Sequence, residues 1–242
     1  MADTPTPNFE LVDINGTLEA DDFDLLIRII QEELEFDKIH LKLANNIVIP
    51  IRLFEEDENY RAFQKKISKS RSGNGFYSVS RKELIIYKNA KYRKTIQHEA
   101  QHLILRSAKL FPPKWLNEGL AEFYEEAFLD KAEIYTRPNQ AKKLRLKRLL
   151  KENKIVSLRK IFSDFDRDWK KMEDNYTLSW GLVYFFMADM QRKEVLRKII
   201  NLSIFQNFGM QWIIEKHYEG GVDHLEKDFH DFIANMPEKI RL

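Results

Sequence analysis

The chain contains no cysteine among its 242 residues. This absence excludes a disulfide-stapled scaffold, a thiolate zinc site and a cysteine nucleophile. It does not indicate a compartment, because a cysteine-free chain suits an oxidising or a reducing environment equally well.

Long apolar runs and an excess of one charge are missing as well. No stretch approaches the 18 or so residues of a membrane helix, and the N-terminus lacks the pattern of a signal peptide. We therefore expect a soluble protein with no membrane span, whose compartment the sequence leaves open. The 40 basic and 38 acidic side chains leave a net charge of +2, so no nucleic-acid partner is expected.

Apolar residues are plentiful, at 43% of the chain, which is enough to build a sizeable core. Residues 1–20 predict a flexible lead-in that adds one short strand at most. A mixed α/β lobe follows over 21–110. Its patterns predict helices at 22–36, 55–68 and 92–109, a strand at 45–54 and a hairpin over 76–88. Pro50 argues for an edge or bulge position within that strand.

From residue 111 onward the pattern is helical almost to the end, which predicts an all-helical C-terminal lobe over 111–242. The whole chain is therefore expected to be an α+β protein of two lobes. The stretch from Lys142 to Lys154 is basic, with leucines interleaved. It predicts either a helix with one core face and one solvated basic face, which we favour, or a patch for an acidic partner such as nucleic acid.

The stretch from Ile96 to Arg106, IQHEAQHLILR, places His98, Glu99 and His102 in the order His-Glu-x-x-His. On a helix the two histidines share a face, with Cβ atoms about 5 to 6 Å apart. Neutral imidazoles so placed can bind zinc, whose catalytic sites have three protein ligands and a water. Glu99 can then act as general base toward that water. The pattern also arises by chance, so the motif alone leaves an ordinary helix as the alternative.

A third ligand is available on the helix that begins after a double proline. Glu118 can reach the two histidines if the helices on either side of the prolines fold back antiparallel. Glu122 lies four residues later on the same face, where it can accept the other N–H of a metal-bound histidine. The alternative is a helix with solvated acidic residues, because two more glutamates continue the run.

Taken together, HEAQH and PKWLNEGLAEFYEE resemble the gluzincin metallopeptidases, the clan that includes thermolysin and aminopeptidase N. The resemblance is greatest to compact bacterial peptidase MA-like domains, many of which are known only as domains of unknown function. It implies a thermolysin-like α+β core with a central active-site helix and with the site between the two lobes. It also implies that His98, His102 and Glu118 bind one Zn²⁺ per chain. Glu99 would be the general base, and Glu122 would orient a zinc-bound histidine.

Two flanking stretches extend the resemblance. GNGFYSVS resembles the substrate-binding edge strand of these folds, which implies that an extended peptide pairs with the backbone of Gly75, Phe76, Tyr77 and Ser78. YTLSWGLVYFF resembles a helix whose tyrosine stabilises an oxyanion, which implies that role for Tyr176. A core aromatic residue at a helix start is the equally weighted alternative for this tyrosine.

These features predict a zinc-dependent peptidase that acts on peptides or proteins. An endopeptidase is favoured, because the chain lacks the Gly-x-Met-Glu-Asn motif with which aminopeptidases hold a free N-terminus. A catalytically inactive protein of the same fold that binds peptides is the alternative. For His217, His224 and His230 we expect surface or structural roles, and the oligomeric state is left open.

Overall fold

The structure is a computed structural model that describes residues 8–15, 17–37, 46–68, 72–164, 172–202 and 209–242. The chain divides into two compact units, Met1–Lys109 and Leu110–Leu242, which we call unit 1 and unit 2. The described residues include no helix that is both long enough and apolar enough to cross a membrane. The fold class is mixed α and β, as the sequence patterns predict.

Unit 1 alternates strands and helices along the chain. Its elements are β1 (Asn8–Asp13), α1 (Ala20–Asp37), β2 (Asn46–Phe54), α2 (Asp57–Ile67), β3 (Gly75–Ser78), β4 (Glu83–Tyr87) and α3 (Tyr92–Ser107). The three helices, the strand and the hairpin that periodicity predicts in this region are confirmed. Strand β1 falls within the stretch expected to be a lead-in.

A four-stranded sheet of order β1-β2-β4-β3 forms the middle layer of unit 1. Strands β1, β2 and β4 are parallel, and β3 pairs antiparallel with β4 at one edge. Side chains alternate across this sheet: Leu84 and Ile86 pack with α1 and α3, whereas Ile85 packs with α2 on the other face. The sheet is thus covered on both faces, and α3 is fixed by its own apolar stripe.

The edge position expected for Pro50 within its strand is confirmed locally, although the strand itself is not an edge strand. Strand β2 lies inside the sheet, between β1 and β4. Pro50 pairs with Val12 of β1, while the pairing with β4 begins one residue later, at Ile51. Proline is tolerated here because this part of the strand has a neighbour on one side only, so its missing N–H leaves no gap in a second ladder.

Unit 2 is mainly helical. Its helices are α4 (Lys114–Tyr124), α5 (Gln140–Lys151), α6 (Leu158–Asp164), α7 (Met172–Met187), α8 (Met190–Leu202), α9 (Met210–His217) and α10 (Gly221–Ala234). Its strands are β5 (Ala127–Asp130), β6 (Glu133–Thr136) and β7 (Ile240–Arg241), which form an antiparallel sheet of order β5-β6-β7.

The prediction of an all-helical C-terminal lobe is therefore wrong. Strands β5 and β6 form a hairpin whose two turn residues, Lys131 and Ala132, both have positive φ angles, 48° and 74°. Two-residue turns with positive φ angles usually contain asparagine or glycine, which makes them recognisable in a sequence. Because neither residue is present here, the acidic run and the short hairpin appear in sequence as one continued helix. Strand β7 then joins β6 from more than a hundred residues away, which no local pattern predicts.

Helix α7 is the core of unit 2. Its residues from Thr177 to Met187 are all buried, as expected for a helix that is apolar on every side. Helices α4, α5, α8 and α10 all pack against it. The close packing with α4 depends on Gly119, where a Cβ atom would lie 2.6 Å from the carbonyl oxygen of Ser179. This explains why a glycine interrupts the apolar stripe of α4.

Candidate functional site

Helix α3 presents two different faces. Ile96, Ala100 and Ile104 are fully buried in the core that α3 shares with α1 and the sheet. His98, Glu99 and His102 lie on the remaining face and are only partly buried. The apolar stripe thus fixes the rotation of the helix, and the three polar residues of the motif are left accessible to a ligand.

The two histidines lie side by side, as their spacing predicts. The centroids of the His98 and His102 rings are 5.0 Å apart, and the ring planes are inclined by 84°. Imidazole nitrogen is a good ligand for zinc, and two rings from one helical turn can turn toward a common ion. Unit 1 alone therefore supplies two potential metal ligands and a carboxylate within one helical turn.

Glu99 is held by the edge strand β3. The backbone N–H of Tyr77 donates a hydrogen bond of 2.8 Å to Oε2 of Glu99. A charge-assisted bond of this kind is stronger than a neutral one and restricts the carboxylate to one direction. The candidate general base is thus in direct contact with the candidate peptide-binding strand. The sequence patterns do not predict this contact.

Strand β3 lies at one edge of the sheet of unit 1, and its side chains have structural roles of their own. A Cβ atom at Gly75 would lie 2.7 Å from Cδ1 of Ile86 and 2.8 Å from Cγ2 of Thr95. Glycine therefore permits the close approach of β3 to α3. Phe76 is buried in the smaller core beneath α2, and Tyr77 packs on the larger core, where burial raises the pKa of its hydroxyl. A ligand on this strand would contact mainly its backbone.

In unit 2, helix α4 carries the two acidic candidates. Trp115, Leu116 and Leu120 are fully buried, and Glu118 and Glu122 lie one turn apart with intermediate exposure. The carboxylate of Glu122 forms an ion pair with the ammonium group of Lys142 on α5. In unit 2, then, Glu122 already has a cationic partner that sequence reasoning did not assign.

Glu122 and Tyr176 both line one cavity of unit 2, of about 660 Å³. Tyr176 lies in the second turn of α7, not at the helix start, and is only partly buried. The structure therefore brings together two residues to which the resemblance assigns roles. Helix α5 contributes Lys142, Leu144, Arg145 and Arg148 to the lining of this cavity.

Helix α5 has a core face and a cavity face. Lys143, Leu146 and Leu149 are buried, and Lys143 reaches the carbonyl of Met236 and the carboxylate of Glu238. Leu144, expected among the leucines of the core face, is instead 67% exposed. The alternation of leucines and basic residues predicts that α5 has two faces. It does not decide which of the four leucines face the core, because the seven basic residues leave several assignments equally good.

The three C-terminal histidines, His217, His224 and His230, all belong to unit 2. His217 and His224 line a second cavity, of about 580 Å³, and Nε2 of His224 lies 3.4 Å from a carboxylate oxygen of Asp228. Partial burial, followed by the charges of Lys198 and Lys216, lowers the pKa of His217. The structural or surface roles expected for these histidines stay a prediction.

Comparison with known families gives one finding. Residues 92–207 are similar to a family described as protein of unknown function (DUF1570). The match covers a little under half of the chain, and it includes His98, Glu99, His102, Glu118, Glu122 and Tyr176. It begins at α3, so it leaves out the edge strand β3. No curated protein matches the chain.

Proposed function

We propose that this protein is a zinc-dependent endopeptidase with a gluzincin-like arrangement of its catalytic residues. The observation that carries the proposal is the geometry of α3. His98 and His102 lie with their ring centroids 5.0 Å apart, and the adjacent Glu99 is oriented by a hydrogen bond from the edge strand. An ordinary surface helix does not require a fixed carboxylate beside two neighbouring imidazoles.

The proposed zinc ligands are His98, His102 and Glu118. What supports this set is its chemistry: two imidazoles and one carboxylate make up a common ligand set of catalytic zinc. We weigh this ligand set against one other combination of histidine and acidic side chains. The other group is His98, Glu122 and Glu125. The first is favoured because Glu122 is engaged with Lys142.

Zinc, when bound, would polarise the scissile carbonyl and lower the pKa of a water molecule toward 7. Glu99 would accept the proton of the attacking water and deliver it to the departing amine, as a general base and then a general acid. The hydrogen bond from Tyr77 N–H would keep the carboxylate in place between the two transfers. Tyr176 is the proposed hydrogen-bond donor to the oxyanion, a role worth roughly 10² to 10³ in rate.

The substrate is proposed to bind as an added strand along β3. An unpaired sheet edge offers backbone N–H and C=O groups to an extended peptide. Among the described strands β3 pairs with β4 alone, so its outer edge can offer backbone C=O groups to a peptide, while Tyr77 N–H on that edge is already bonded to Glu99. Glu99 contacts this same edge, so a peptide bound there would lie next to the general base.

The test is elemental analysis of purified wild-type protein, Glu118→Ala and Glu125→Ala. We expect one zinc per chain in the wild type and in Glu125→Ala, and loss of zinc in Glu118→Ala, because a zinc site with one ligand removed binds far more weakly. Loss of zinc in Glu125→Ala with retention in Glu118→Ala would favour the second ligand group. A wild-type protein that binds no zinc would refute the proposal.

A further inference from the structure

The cavity face of α5 combines an apolar residue with cationic ones. Leu144, Arg145 and Arg148 follow Ala141 at spacings of three, four and seven residues, which places all four on one face of the helix. All four line the cavity of about 660 Å³ that also contains Glu122 and Tyr176. The buried residues of α5 lie on a different face, so this one is not needed for the core.

The cations of this face differ in their partners. Lys142 is paired with Glu122, and Arg145 is bound by Asp174, through a hydrogen bond of 2.6 Å, and by Glu173. The guanidinium of Arg148 makes no ion pair with any residue in the part of the chain that the structure describes. The charge of Arg148 helps to lower the pKa of Glu152, one turn later, but Lys154 makes the larger contribution and is the residue that binds Glu152, at 2.7 Å. The charge available to a ligand is therefore that of Arg148.

Leu144 lies one helical turn before Arg148 and is 67% exposed, which is high for a leucine that lines a cavity. Covering this side chain with aliphatic groups of a ligand would remove apolar surface from water and so favour binding. A ligand that fits both residues carries a carboxylate on a short aliphatic stem. Arginine suits such a carboxylate because its planar guanidinium can donate two parallel hydrogen bonds.

We propose that this cavity binds the side chain of a glutamate residue in the peptide substrate, with Arg148 as the charged contact and Leu144 beneath the methylene groups. The inference rests on the proposed peptidase function, because that function makes the ligand a peptide. A nucleic acid fits less well. Its phosphate backbone would require a row of cations without partners, and Lys142 and Arg145 are already paired.

The experiment measures binding in a Glu99→Gln background, so that the peptide is not consumed. Two fluorescein-labelled nonapeptides of alanine, leucine and serine are compared, one with a central glutamate and its twin with glutamine. We expect the glutamate peptide to bind roughly three- to tenfold more tightly, as for a partly exposed charge-assisted pair. This preference should disappear in Arg148→Gln and persist in Lys151→Gln, which removes the same charge from α5 outside the cavity.

A second variant tests the apolar contact. Leu144→Ser should weaken the binding of both peptides by a similar factor, on the order of threefold, because it removes apolar contact and leaves Arg148 in place. Thermal unfolding of each variant shows whether it is folded. Equal binding of the two peptides to the Glu99→Gln protein would overturn the proposal, and so would an unchanged preference in Arg148→Gln.

Cleavage of the same peptides by the wild type separates this inference from the peptidase proposal. A glutamate preference in binding without any zinc-dependent cleavage would leave the cavity assignment standing and refute the peptidase. Cleavage of both peptides with equal kcat/KM and equal affinity would refute the cavity assignment and leave the peptidase proposal standing.

Discussion

The two units carry their candidate residues in different ways. In unit 1, His98, Glu99 and His102 come from five consecutive positions of one helix, and the sheet beneath that helix sets their direction. In unit 2, Glu122, Arg148 and Tyr176 come from three helices and meet only because α4 and α5 both pack on α7. The first group is a local motif, and the second is a product of packing.

This difference has a physical consequence for how each group responds to mutation. The three motif residues are only partly buried and lie outside the apolar stripe of Ile96, Ala100 and Ile104, so replacing one should have little effect on the core. The residues of unit 2 hold their places through close helix contacts and ion pairs such as Lys142–Glu122. A change in the packing of unit 2 should therefore displace its cavity even when no cavity residue is altered.

The largest expected effect is that of Glu99→Gln on catalysis. Removing the proposed base should lower kcat/KM for a quenched fluorescent peptide by roughly 10² to 10⁴, the usual contribution of a general base. Zinc content and the midpoint of thermal unfolding should stay close to the wild-type values, because Glu99 is neither a proposed ligand nor a core residue.

The matched control for that measurement is Glu58→Gln, an exposed residue of α2 outside the motif. We expect it to cleave at the wild-type rate. Cleavage by Glu99→Gln at the wild-type rate would contradict the proposed role of Glu99. Loss of activity together with unfolding would contradict the view that the motif residues can be replaced without disturbing the core.

An intermediate effect is expected for Gly119→Ala in unit 2. The new Cβ would lie 2.6 Å from the backbone oxygen of Ser179 and 2.8 Å from Cγ2 of Val183, so α4 and α7 must separate slightly. The free energy of unfolding should fall by about 1 to 3 kcal/mol, the usual effect of overpacking. Hydrogen exchange followed by mass spectrometry should show faster exchange in α4 and α7.

Gly209→Ala is the control for this substitution, because a Cβ at Gly209 has no heavy atom within 4 Å. It should leave stability and exchange nearly unchanged. Faster exchange in α3 but not in α4 or α7 of the Gly119→Ala protein would contradict the view that this contact organises unit 2.

The smallest effect concerns the hairpin of unit 1. Glu83, at the start of β4, accepts hydrogen bonds from Arg52 at 3.1 Å and from Arg81 at 3.1 and 3.2 Å. Burial raises the pKa of Glu83, but the two arginines outweigh burial and hold it below the ordinary value of 4.5. Glu83→Gln should therefore lower the free energy of unfolding by about 1 kcal/mol at pH 7.

The sign of the pH dependence follows from that lowered pKa. The stabilisation is present above the unfolded-state pKa of Glu83 and is lost as the pH falls through the lower folded-state value. Urea unfolding at pH 7 and at pH 3 should therefore show a wild-type advantage over Glu83→Gln that shrinks in acid. An advantage that grows in acid would contradict the assignment.

Much of unit 1 is predictable because its signals are local. The strand from Asn46, the β3–β4 hairpin and α3 all have a clear period of two or 3.6 residues in the apolar positions. Pro50 and the β5–β6 hairpin are different. The position of Pro50 is decided by where β4 begins to pair with β2. The hairpin is decided by a turn in which Lys131 and Ala132 have positive φ angles. The periodicity of apolar residues reports neither.

The sequence by itself determines the His-Glu-x-x-His spacing, and with it two adjacent imidazoles and a carboxylate on one face of a helix. This follows because residues three or four positions apart on a helix are neighbours on its surface. Only the tertiary structure decides that Tyr77 N–H holds Glu99, that Lys142 pairs with Glu122, and that Leu144 and Arg148 face a cavity. Each of these depends on which elements pack together, and that depends on contacts between residues far apart in the chain.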